Sequence, residues 1–324
     1  MCTALSFKTQ DHYFGRNLDL DCSFRESVVV TPRRFPLHFK CIPALRTHLA
    51  MIGMASVVDG YPLYYDATNE TGLSVAALNF PGYAHYMPEA EGRDNVAPYE
   101  LIPWLLAQCS SVSQARALLA RMNLAAIPFN RELPLTPLHF LISDAGESIV
   151  LEPMKEGLKI HDNPIGVLTN SPPFDYHMTN LSNYMALGSR DPQNRLAPAL
   201  DLTPYSRGMG ALGLPGDLSS ASRFVRAAFM NAHSRCGDTH EESVTQFFHI
   251  LQSVAHVRGS VLVGVRPEIT VYSSCCNTRR GIYCYTTYEN SQITAIDMHG
   301  ENLDSERLFS FPLIREQQIR TQNG

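Results

Sequence analysis

The sequence predicts a layered α+β fold in which helices pack on sheets that are largely antiparallel. Two observations predict it. Segments with strand character follow one another closely enough to form hairpins, and turn residues separate them. The segments with helical character each carry one apolar stripe, as expected of helices that cover one side of a sheet. The chain of 324 residues can bury a large core, and we expect it to form a single domain, 1–324.

The strands begin close to the amino terminus. Residues 3–8 and 12–17 are predicted to be strands joined by the short turn 9–11, so this hairpin brings its far end back beside residue 2. Neighbouring segments downstream are also close enough for hairpins, which favours antiparallel pairing. In chain order these further strand segments are 27–31, 50–58, 73–79, 138–143, 148–153, 158–161, 166–168, 269–274, 282–288 and 293–298.

Four segments have helical periodicity. In residues 241–255 the apolar positions recur every third or fourth residue and form one stripe. Residues 221–229 show similar spacing, and 99–108 with 113–122 form a further helical pair. The stretch 201–220, which contains Pro and Gly, has no such period, and we expect an extended loop or an assembly arm there.

The composition argues against two classes of partner. The net charge is −5, and no basic run extends beyond the pairs 33–34 and 279–280, so nucleic acid is not expected. No segment approaches the roughly 18 apolar residues of a membrane span, and no charged leader precedes an apolar stretch. We therefore expect a cytoplasmic protein without membrane insertion. The eight cysteines are too sparse for a disulfide framework and lack zinc-ligand spacing, so no metal site is expected.

Cys2 follows the initiator methionine, so removal of Met1 would expose a thiol and a free α-amine on one residue. A free α-amine has a pKa of about 7.7–8.0 and can accept a proton near neutrality. The thiol, with a pKa of about 8.5, is a strong nucleophile once deprotonated. A small residue at position 2 often does no more than permit methionine removal, and catalysis requires partners in space. Arg16 and Asp19, near the far end of the first hairpin, can reach this terminus.

Five spaced motifs occur in an order that resembles the choloylglycine hydrolase family, most closely its bile salt hydrolase branch. These enzymes are N-terminal-nucleophile amidohydrolases, and the likeness runs from residue 1 to about residue 300. Several motifs in one order are far more specific than any single motif. They are Met-Cys-Thr-Ala at 1–4, Phe-Gly-Arg-Asn-Leu-Asp at 14–19, the segment 72–81 that ends in Ala-Leu-Asn-Phe-Pro, Gly-Val-Leu-Thr-Asn-Ser-Pro at 166–172, and 214–224, from Leu-Pro-Gly-Asp to Ser-Arg-Phe.

The resemblance implies a fold, a reaction and an assembly. The fold would be the four-layer αββα sandwich of N-terminal-nucleophile hydrolases. The reaction would be hydrolysis of the amide bond of glycine- or taurine-conjugated bile salts through a thioester on Cys2, without a metal or organic cofactor. Members of this branch commonly form homotetramers, and we expect 201–220 to make the contact between subunits.

The resemblance also implies site residues. Those that match the family's catalytic positions are Cys2, Arg16, Asp19, Asn79, Asn170 and Arg223. Asn79 and Asn170 would stabilise the oxyanion, and Arg16 and Asn79 would also bind the substrate. The two arginines and one aspartate would leave the pocket net positive and favour the thiolate. The positions that match the apolar substrate wall are Leu18, Val58, Tyr65, Phe129, Leu133 and Leu138.

Three other functions remain open. Penicillin V acylases share the nucleophile and the fold but tend to carry an aromatic residue where this chain has Asn79, which favours bile salts. A non-catalytic carrier of amphiphiles would need only the apolar pocket. A cysteine–histidine protease would need a histidine beside Cys2, and the twelve histidines form no papain-like or HExxH pattern. The sequence does not decide between glycine and taurine conjugates.

Overall fold

Two antiparallel sheets face each other, and helices cover the outer side of each sheet. The computed structural model describes residues 1–323. The strands are β1 Cys2–Lys8, β2 His12–Leu20, β3 Ser27–Thr31, β4 Met51–Val58, β5 Tyr61–Asn69, β6 Ser74–Asn79, β7 Asp94–Val96, β8 Met122–Leu124, β9 Leu138–Ser143, β10 Ser148–Met154, β11 Gly157–Asp162, β12 Val167–Leu168, β13 Leu262–Val263, β14 Arg266–Pro267, β15 Ile269–Asn277, β16 Ile282–Thr287, β17 Thr294–Asp297 and β18 Phe309–Pro312. The α-helices are α1 Leu101–Gln108, α2 Val112–Leu119, α3 Phe174–Leu181, α4 Ser220–His233 and α5 His240–Gln252.

The two large sheets are antiparallel throughout. One has six strands in the order β12-β1-β2-β15-β16-β17, and the other has eight in the order β11-β10-β9-β6-β5-β4-β3-β18. The predicted first hairpin lies in the six-stranded sheet, with Cys2 opposite Leu18 and Lys8 opposite His12. The expectation of mainly antiparallel sheets is therefore confirmed.

Apolar residues fill the spaces between the layers. One core surrounds the six-stranded sheet, which contacts the facing sheet on one side and α4 and α5 on the other; Phe14 and Phe247 are buried there. A second core lies between the eight-stranded sheet and the pair α1 and α2, where Trp104 and Phe140 are buried. The order of layers is helix, sheet, sheet, helix, which confirms the αββα sandwich.

Gly15 allows β2 and β15 to pack closely. A Cβ atom at this position would lie 2.0 Å from the carbonyl oxygen of Ser274, so a larger residue would push the two strands apart. At the next residue, the backbone N–H of Arg16 donates to Ser274 Oγ at 3.1 Å. The glycine of the Phe-Gly-Arg motif is therefore needed to hold the backbone that carries Arg16.

Some elements differ from the prediction. β5 was not expected, because Pro62 near its start argues against a strand, although the proline lies within the pairing of β4 with β5. α3 was also missed, because only Phe174 and His177 of its 8 residues are buried and they form too short a stripe. The predicted helix at 113–122 was wrong at its end, because Met122–Leu124 pairs with β7 as strand β8.

The stretch 201–220 contains no strand, and its one short helix is a 3-10 turn at Met209–Ala211. Its last residue, Ser220, already belongs to α4. Among residues 1–323, none of the helices has the length and apolar character needed to cross a bilayer.

Candidate active site

Cys2 is the first residue of β1 and lines a cavity of about 380 Å³. Its side chain is buried, and its backbone N–H donates to Asn170 Oδ1 at 2.8 Å. β1 pairs with β2 on one side and with β12 on the other, so its backbone is held from both directions. The thiol therefore sits on a rigid element at the wall of this cavity.

Met1 keeps the α-amine away from Cys2 in the full chain. The Met1 nitrogen lies 2.9 Å from Glu268 Oε1 and also donates to the carbonyl oxygen of Asp19. The nitrogen of Cys2 is a peptide N–H in this form. If Met1 is removed, that same nitrogen becomes the terminal amine and lies next to Asn170 Oδ1.

Arg223 connects α4 to the strand that carries Cys2. Its guanidinium donates to the carbonyl oxygen of Cys2, to Thr3 Oγ1 at 2.7 Å and to Asn170 Oδ1 at 2.7 Å. Burial lowers the pKa of Arg223, while Asp19 and Cys2 act in the opposite direction. Arg223 is therefore a buried cation in direct contact with the backbone of Cys2.

Arg16 spans the gap between the two sheets. One terminal nitrogen of its guanidinium donates to the carbonyl oxygens of Ala77 and Tyr65, the latter at 3.1 Å. The other terminal nitrogen is buried and has no hydrogen-bond partner within residues 1–323. Burial alone would lower the pKa of Arg16, but Cys2 and the other ionisable neighbours raise it. Because Arg16 also lines the cavity, its free N–H groups are available to a bound molecule.

Asn79 and Asn170 meet beside Cys2. Asn170 Nδ2 donates to the carbonyl oxygen of Asn79 at 2.7 Å, and its Oδ1 accepts from Cys2 and Arg223. Asn79 is the last residue of β6 and lines the cavity; its Oδ1 is buried without a partner in the described part of the chain. Asn170 Nδ2 carries a second N–H besides the one given to Asn79, and a side-chain amide of this kind can donate to a developing oxyanion.

A buried histidine cluster supports the segment that carries Asn170. The His177 ring donates to the Asn170 carbonyl oxygen at 2.9 Å, and His139 Nε2 donates to the Thr169 carbonyl oxygen at 2.8 Å. His139 Nδ1 lies 3.2 Å from Glu152 Oε1. Burial lowers the pKa of His177, which favours the neutral ring. These residues were not predicted, because no short motif links positions so far apart in the sequence.

The walls of the cavity are mostly apolar. All six positions that the resemblance assigned to the substrate wall line it: Leu18, Val58, Tyr65, Phe129, Leu133 and Leu138. Several lining residues were not predicted, namely Leu20, Phe24, Tyr99, Ile102, Ile127 and Leu135. A signal for part of this set was present in the segment 127–138, where apolar residues recur between prolines without the period of a helix or a strand.

The predicted catalytic residues fall into two groups. Arg16 and Asn79 line the cavity with Cys2, whereas Asp19, Asn170 and Arg223 do not. Asp19 is fully buried, and its backbone N–H donates to the carbonyl oxygen of residue 1 at 2.8 Å. Within residues 1–323, no group of three or more His, Cys, Asp or Glu side chains is arranged to hold a metal ion.

An αββα sandwich whose first strand begins with a cysteine next to Met1 is the arrangement of the class of N-terminal-nucleophile hydrolases. Solved structures share this fold. A variant of conjugated bile acid hydrolase from Clostridium perfringens matches with a TM-score of 0.92 and 41% identity, covering 99% of this chain and 100% of that chain. Penicillin V acylase from Agrobacterium tumefaciens matches with a TM-score of 0.74 and 19% identity, covering 96% and 90%.

The chain belongs to the family described as linear amide C-N hydrolases, choloylglycine hydrolase family, whose sequence model matches residues 2–311. It is 51% identical to a bile salt hydrolase/transferase of Lactiplantibacillus plantarum, with 100% of both chains covered. It is 44% identical to a bile salt hydrolase/transferase of Clostridium perfringens, with 96% of each covered. The protein is thus an amidohydrolase that acts on linear amides, and the family assigned from the five motifs is confirmed.

Proposed function

We propose that this protein hydrolyses the amide bond of glycine- or taurine-conjugated bile salts, with Cys2 as the nucleophile after removal of Met1. One observation carries the proposal: Cys2 lies between polar partners, Asn170 and Arg223, and an apolar cavity. Such a site suits a rigid apolar body joined by an amide to an acidic amino acid. The names of the relatives from Lactiplantibacillus plantarum and Clostridium perfringens support this substrate.

The reaction takes two steps. The Cys2 thiolate attacks the carbonyl carbon of the amide, while the terminal amine of Cys2 holds the proton that the thiol gave up. N–H groups of Asn79 and Asn170 stabilise the tetrahedral oxyanion. When the C–N bond breaks, the amine passes its proton to the leaving nitrogen, and glycine or taurine departs. Water then gives a proton to the same amine and attacks the thioester, which releases the bile acid and restores the thiol.

The other polar residues act on the sulfur and the terminal nitrogen of Cys2. Asp19 orients the terminal amine, and the positive charges of Arg223 and Arg16 stabilise the negative charge of the transition state. The unpaired guanidinium nitrogen of Arg16 and the amide of Asn79 bind the amino-acid end of the substrate. The steroid body packs against the apolar wall formed by Leu18, Val58, Tyr65, Phe129, Leu133 and Leu138.

The test compares three amides with one preparation whose intact mass has verified the loss of one methionine. We expect hydrolysis of glycocholate and taurocholate, and no hydrolysis by Cys2→Ala, which should still bind taurocholate. Faster turnover of penicillin V than of both bile salts would overturn the substrate assignment and favour an acylase. Binding without turnover by the processed wild-type chain would indicate a carrier.

The amine has a test of its own. Acetylation of the terminal amine leaves the thiol in place but removes the proposed base, so the modified enzyme should be inactive. A cysteine–histidine protease would keep its activity after the same treatment. Full hydrolysis of glycocholate by the acetylated chain would therefore contradict the mechanism.

We infer a second reaction at the same site, because the two relatives are named hydrolase/transferase. The nitrogen of a free amine can attack the thioester in place of water, and the terminal amine then takes the proton and returns it to the thiol. Taurocholate incubated with excess glycine should yield glycocholate, detected by mass spectrometry. If cholate is the sole product at every glycine concentration, the reaction is limited to hydrolysis.

We propose that the chain forms a homotetramer through 201–220. The support is that large apolar side chains on and beside this segment are exposed, which is unusual for a monomer surface of this extent. These side chains are Met185, Leu196, Leu200, Leu202, Tyr205 and Leu212. Light scattering should give four times the chain mass for the wild type and less for Tyr205→Asp. Val265→Asp, at an exposed site outside the segment, is the control. A monomeric wild type would refute the proposal.

We also propose a cytoplasmic location and a single domain for 1–324. All eight cysteines are free, including Cys275 and Cys284 on paired strands, which suits a reducing compartment. β18 pairs with β3, so both ends of the chain contribute to one sheet. Cell fractionation tests the location. A single unfolding transition in calorimetry, at fixed protein concentration, is the outcome expected for one domain.

A further inference from the structure

A row of buried ionisable groups begins at Asp19. Asp19 Oδ1 accepts a hydrogen bond from Thr270 Oγ1 at 2.6 Å, but its Oδ2 is buried and unpartnered within residues 1–323. His256 Nε2 lies 3.8 Å from that oxygen and His256 Nδ1 lies 3.0 Å from Glu268 Oε1, and neither ring nitrogen has a hydrogen bond of good geometry within residues 1–323. Glu268 Oε1 lies in turn 2.9 Å from the Met1 nitrogen.

These groups are closed off from solvent. The side chains of Asp19 and His256 are 0% exposed and that of Glu268 is 6% exposed. Thr270 holds two of them together, since its hydroxyl also accepts from the backbone N–H of His256 at 2.8 Å. Two buried carboxylates carry a large desolvation cost unless a cation lies between them. Clusters of this kind are more typical of functional sites than of ordinary cores.

The charged neighbours of this row of groups come from β1, β2 and α4. Burial alone would raise the pKa of Glu268, but its contacts with His256 and with the amino terminus lower it. The field of Arg223 acts on both Asp19 and Glu268. The ionisable groups that face this row are therefore Cys2, Arg16, Arg223 and, before processing, the Met1 amine.

We propose that His256, held by Glu268, is a positioning residue that fixes the carboxylate of Asp19 and sets the proton affinity of the Cys2 amine. This inference rests on the proposed role of that amine as the base. The His256 ring lies between the two carboxylates, with one ring nitrogen facing each of them. When Met1 is removed, Glu268 loses its ammonium partner and His256 remains beside it.

The two residues act on the amine in opposite directions. The carboxylate of Glu268 makes it more favourable for the Cys2 amine to keep a proton, whereas an N–H of His256 facing the carboxylates offsets part of their charge and makes it less favourable. Neither residue lines the cavity, so neither is expected to alter substrate binding. Substitution of either residue should therefore change the pH dependence of the reaction and leave KM unchanged.

The test is the pH profile of kcat/KM for glycocholate, measured with the processed full chain. The acid limb should move to higher pH in His256→Gln and to lower pH in Glu268→Gln, each by about half a pH unit or more. In both variants kcat should fall while KM stays within about twofold of the wild-type value. His249→Gln, at an exposed position of α5, is the matched control and should reproduce the wild-type profile.

A purely structural role would give a different result. It would lower the melting temperature and the fraction of active enzyme but leave the midpoint of the acid limb unchanged, and that outcome overturns the inference. Shifts of both variants in the same direction overturn it as well. If His256→Gln does not fold, Glu268→Gln alone decides, since an unmoved or raised midpoint contradicts the proposal.

The parallel use of Cys2→Ala separates this inference from the proposed function. Hydrolysis of glycocholate by Cys2→Ala would refute the proposed function whatever the pH profiles show. If Cys2→Ala is inactive and neither midpoint moves, the proposed function stands and only the role of His256 and Glu268 is refuted.

Discussion

The two facing sheets contribute different parts of the site. The six-stranded sheet carries Cys2, Arg16 and Asp19, which are buried among polar partners. The eight-stranded sheet contributes Tyr65 and Asn79, which border the cavity. In the proposed mechanism the first sheet supplies the nucleophile, Asn79 of the second sheet joins the oxyanion site, and the loop between β8 and β9 supplies much of the apolar wall. Substitutions at the polar residues and in the apolar wall should therefore affect kcat and KM separately.

The difference has a physical cause. Cys2 lies in a strand with hydrogen-bonded neighbours on both sides, so the position of its sulfur is set by the sheet. Phe129 and Leu133 lie between β8 and β9, outside any strand or helix. A rigid element suits atoms that must meet within a few tenths of an ångström, whereas a loop can vary with the substrate.

The largest effect is expected at Cys2. Cys2→Ser should retain less than about one per cent of wild-type kcat, because a hydroxyl is a much weaker nucleophile than a thiolate beside an amine of modest basicity. The measurement is glycocholate turnover after intact-mass analysis has verified removal of Met1. Cys22→Ser, at an exposed cysteine, is the matched control and should keep full activity. Substantial turnover by Cys2→Ser would contradict the proposed mechanism.

Asn170→Ala should have the next largest effect. Loss of one oxyanion donor should lower kcat by about 10²-fold, with a much smaller change in KM, because the interaction strengthens only in the transition state. Asn183→Ala, at an exposed position, is the control. A rise in KM at constant kcat would instead assign Asn170 to substrate binding and contradict the separation of polar residues from the apolar wall.

Phe129→Ala should have the reverse pattern. Removing this half-buried wall residue should raise KM about 5- to 30-fold, which corresponds to about 1–2 kcal/mol of lost apolar contact, and should leave kcat nearly unchanged. Tyr83→Ala, an exposed aromatic residue that does not line the cavity, is the control. If Phe129→Ala lowered kcat as much as Asn170→Ala, the apolar wall and the oxyanion residues would not act separately.

The smallest effect on catalysis is expected at His12, at the other end of the β1–β2 hairpin. Burial lowers the pKa of His12 to about 4, so the folded chain binds this proton less tightly than the unfolded chain. The resulting stability is present above the unfolded pKa of about 6.5 and is lost as the pH falls toward 4, by about 2 kcal/mol between pH 7 and pH 5.

Urea unfolding at both pH values, at one protein concentration, measures this loss. The variant His12→Gln should show a free energy of unfolding that depends less on pH, by about the same 2 kcal/mol, and a normal kcat at pH 7. An equal pH dependence in variant and wild type would show that His12 does not titrate as described.

Much of the fold could be predicted because its signals are local. The first hairpin, the helix over 241–255 and the turn residues between strands each depend on residues close together in the sequence. β5 was hidden by Pro62, and α3 was too short to show a stripe. Local patterns alone give no order of strands, so the four layers came from the family resemblance.

The sequence predicted some residues of the site and missed others. The family motifs name Arg223 and Asn170, and the structure brings both into contact with Cys2. His256 and Glu268 could not be found from the sequence, because their partner Asp19 lies more than two hundred residues away and no motif joins them. Their relation to the amino terminus depends on strand pairing across the sheet, which only the folded chain shows.

The contacts of Met1 have a consequence for how the enzyme is produced. Its nitrogen is paired with Glu268, and its carbonyl oxygen accepts from the backbone of Asp19. A methionine aminopeptidase needs a loose, extended substrate, so we expect trimming to occur on the nascent chain before β1 joins β2. If translation is faster than removal of Met1, folded enzyme that retains Met1 and is inactive would accumulate. The specific activity of the purified enzyme would then depend on the expression rate.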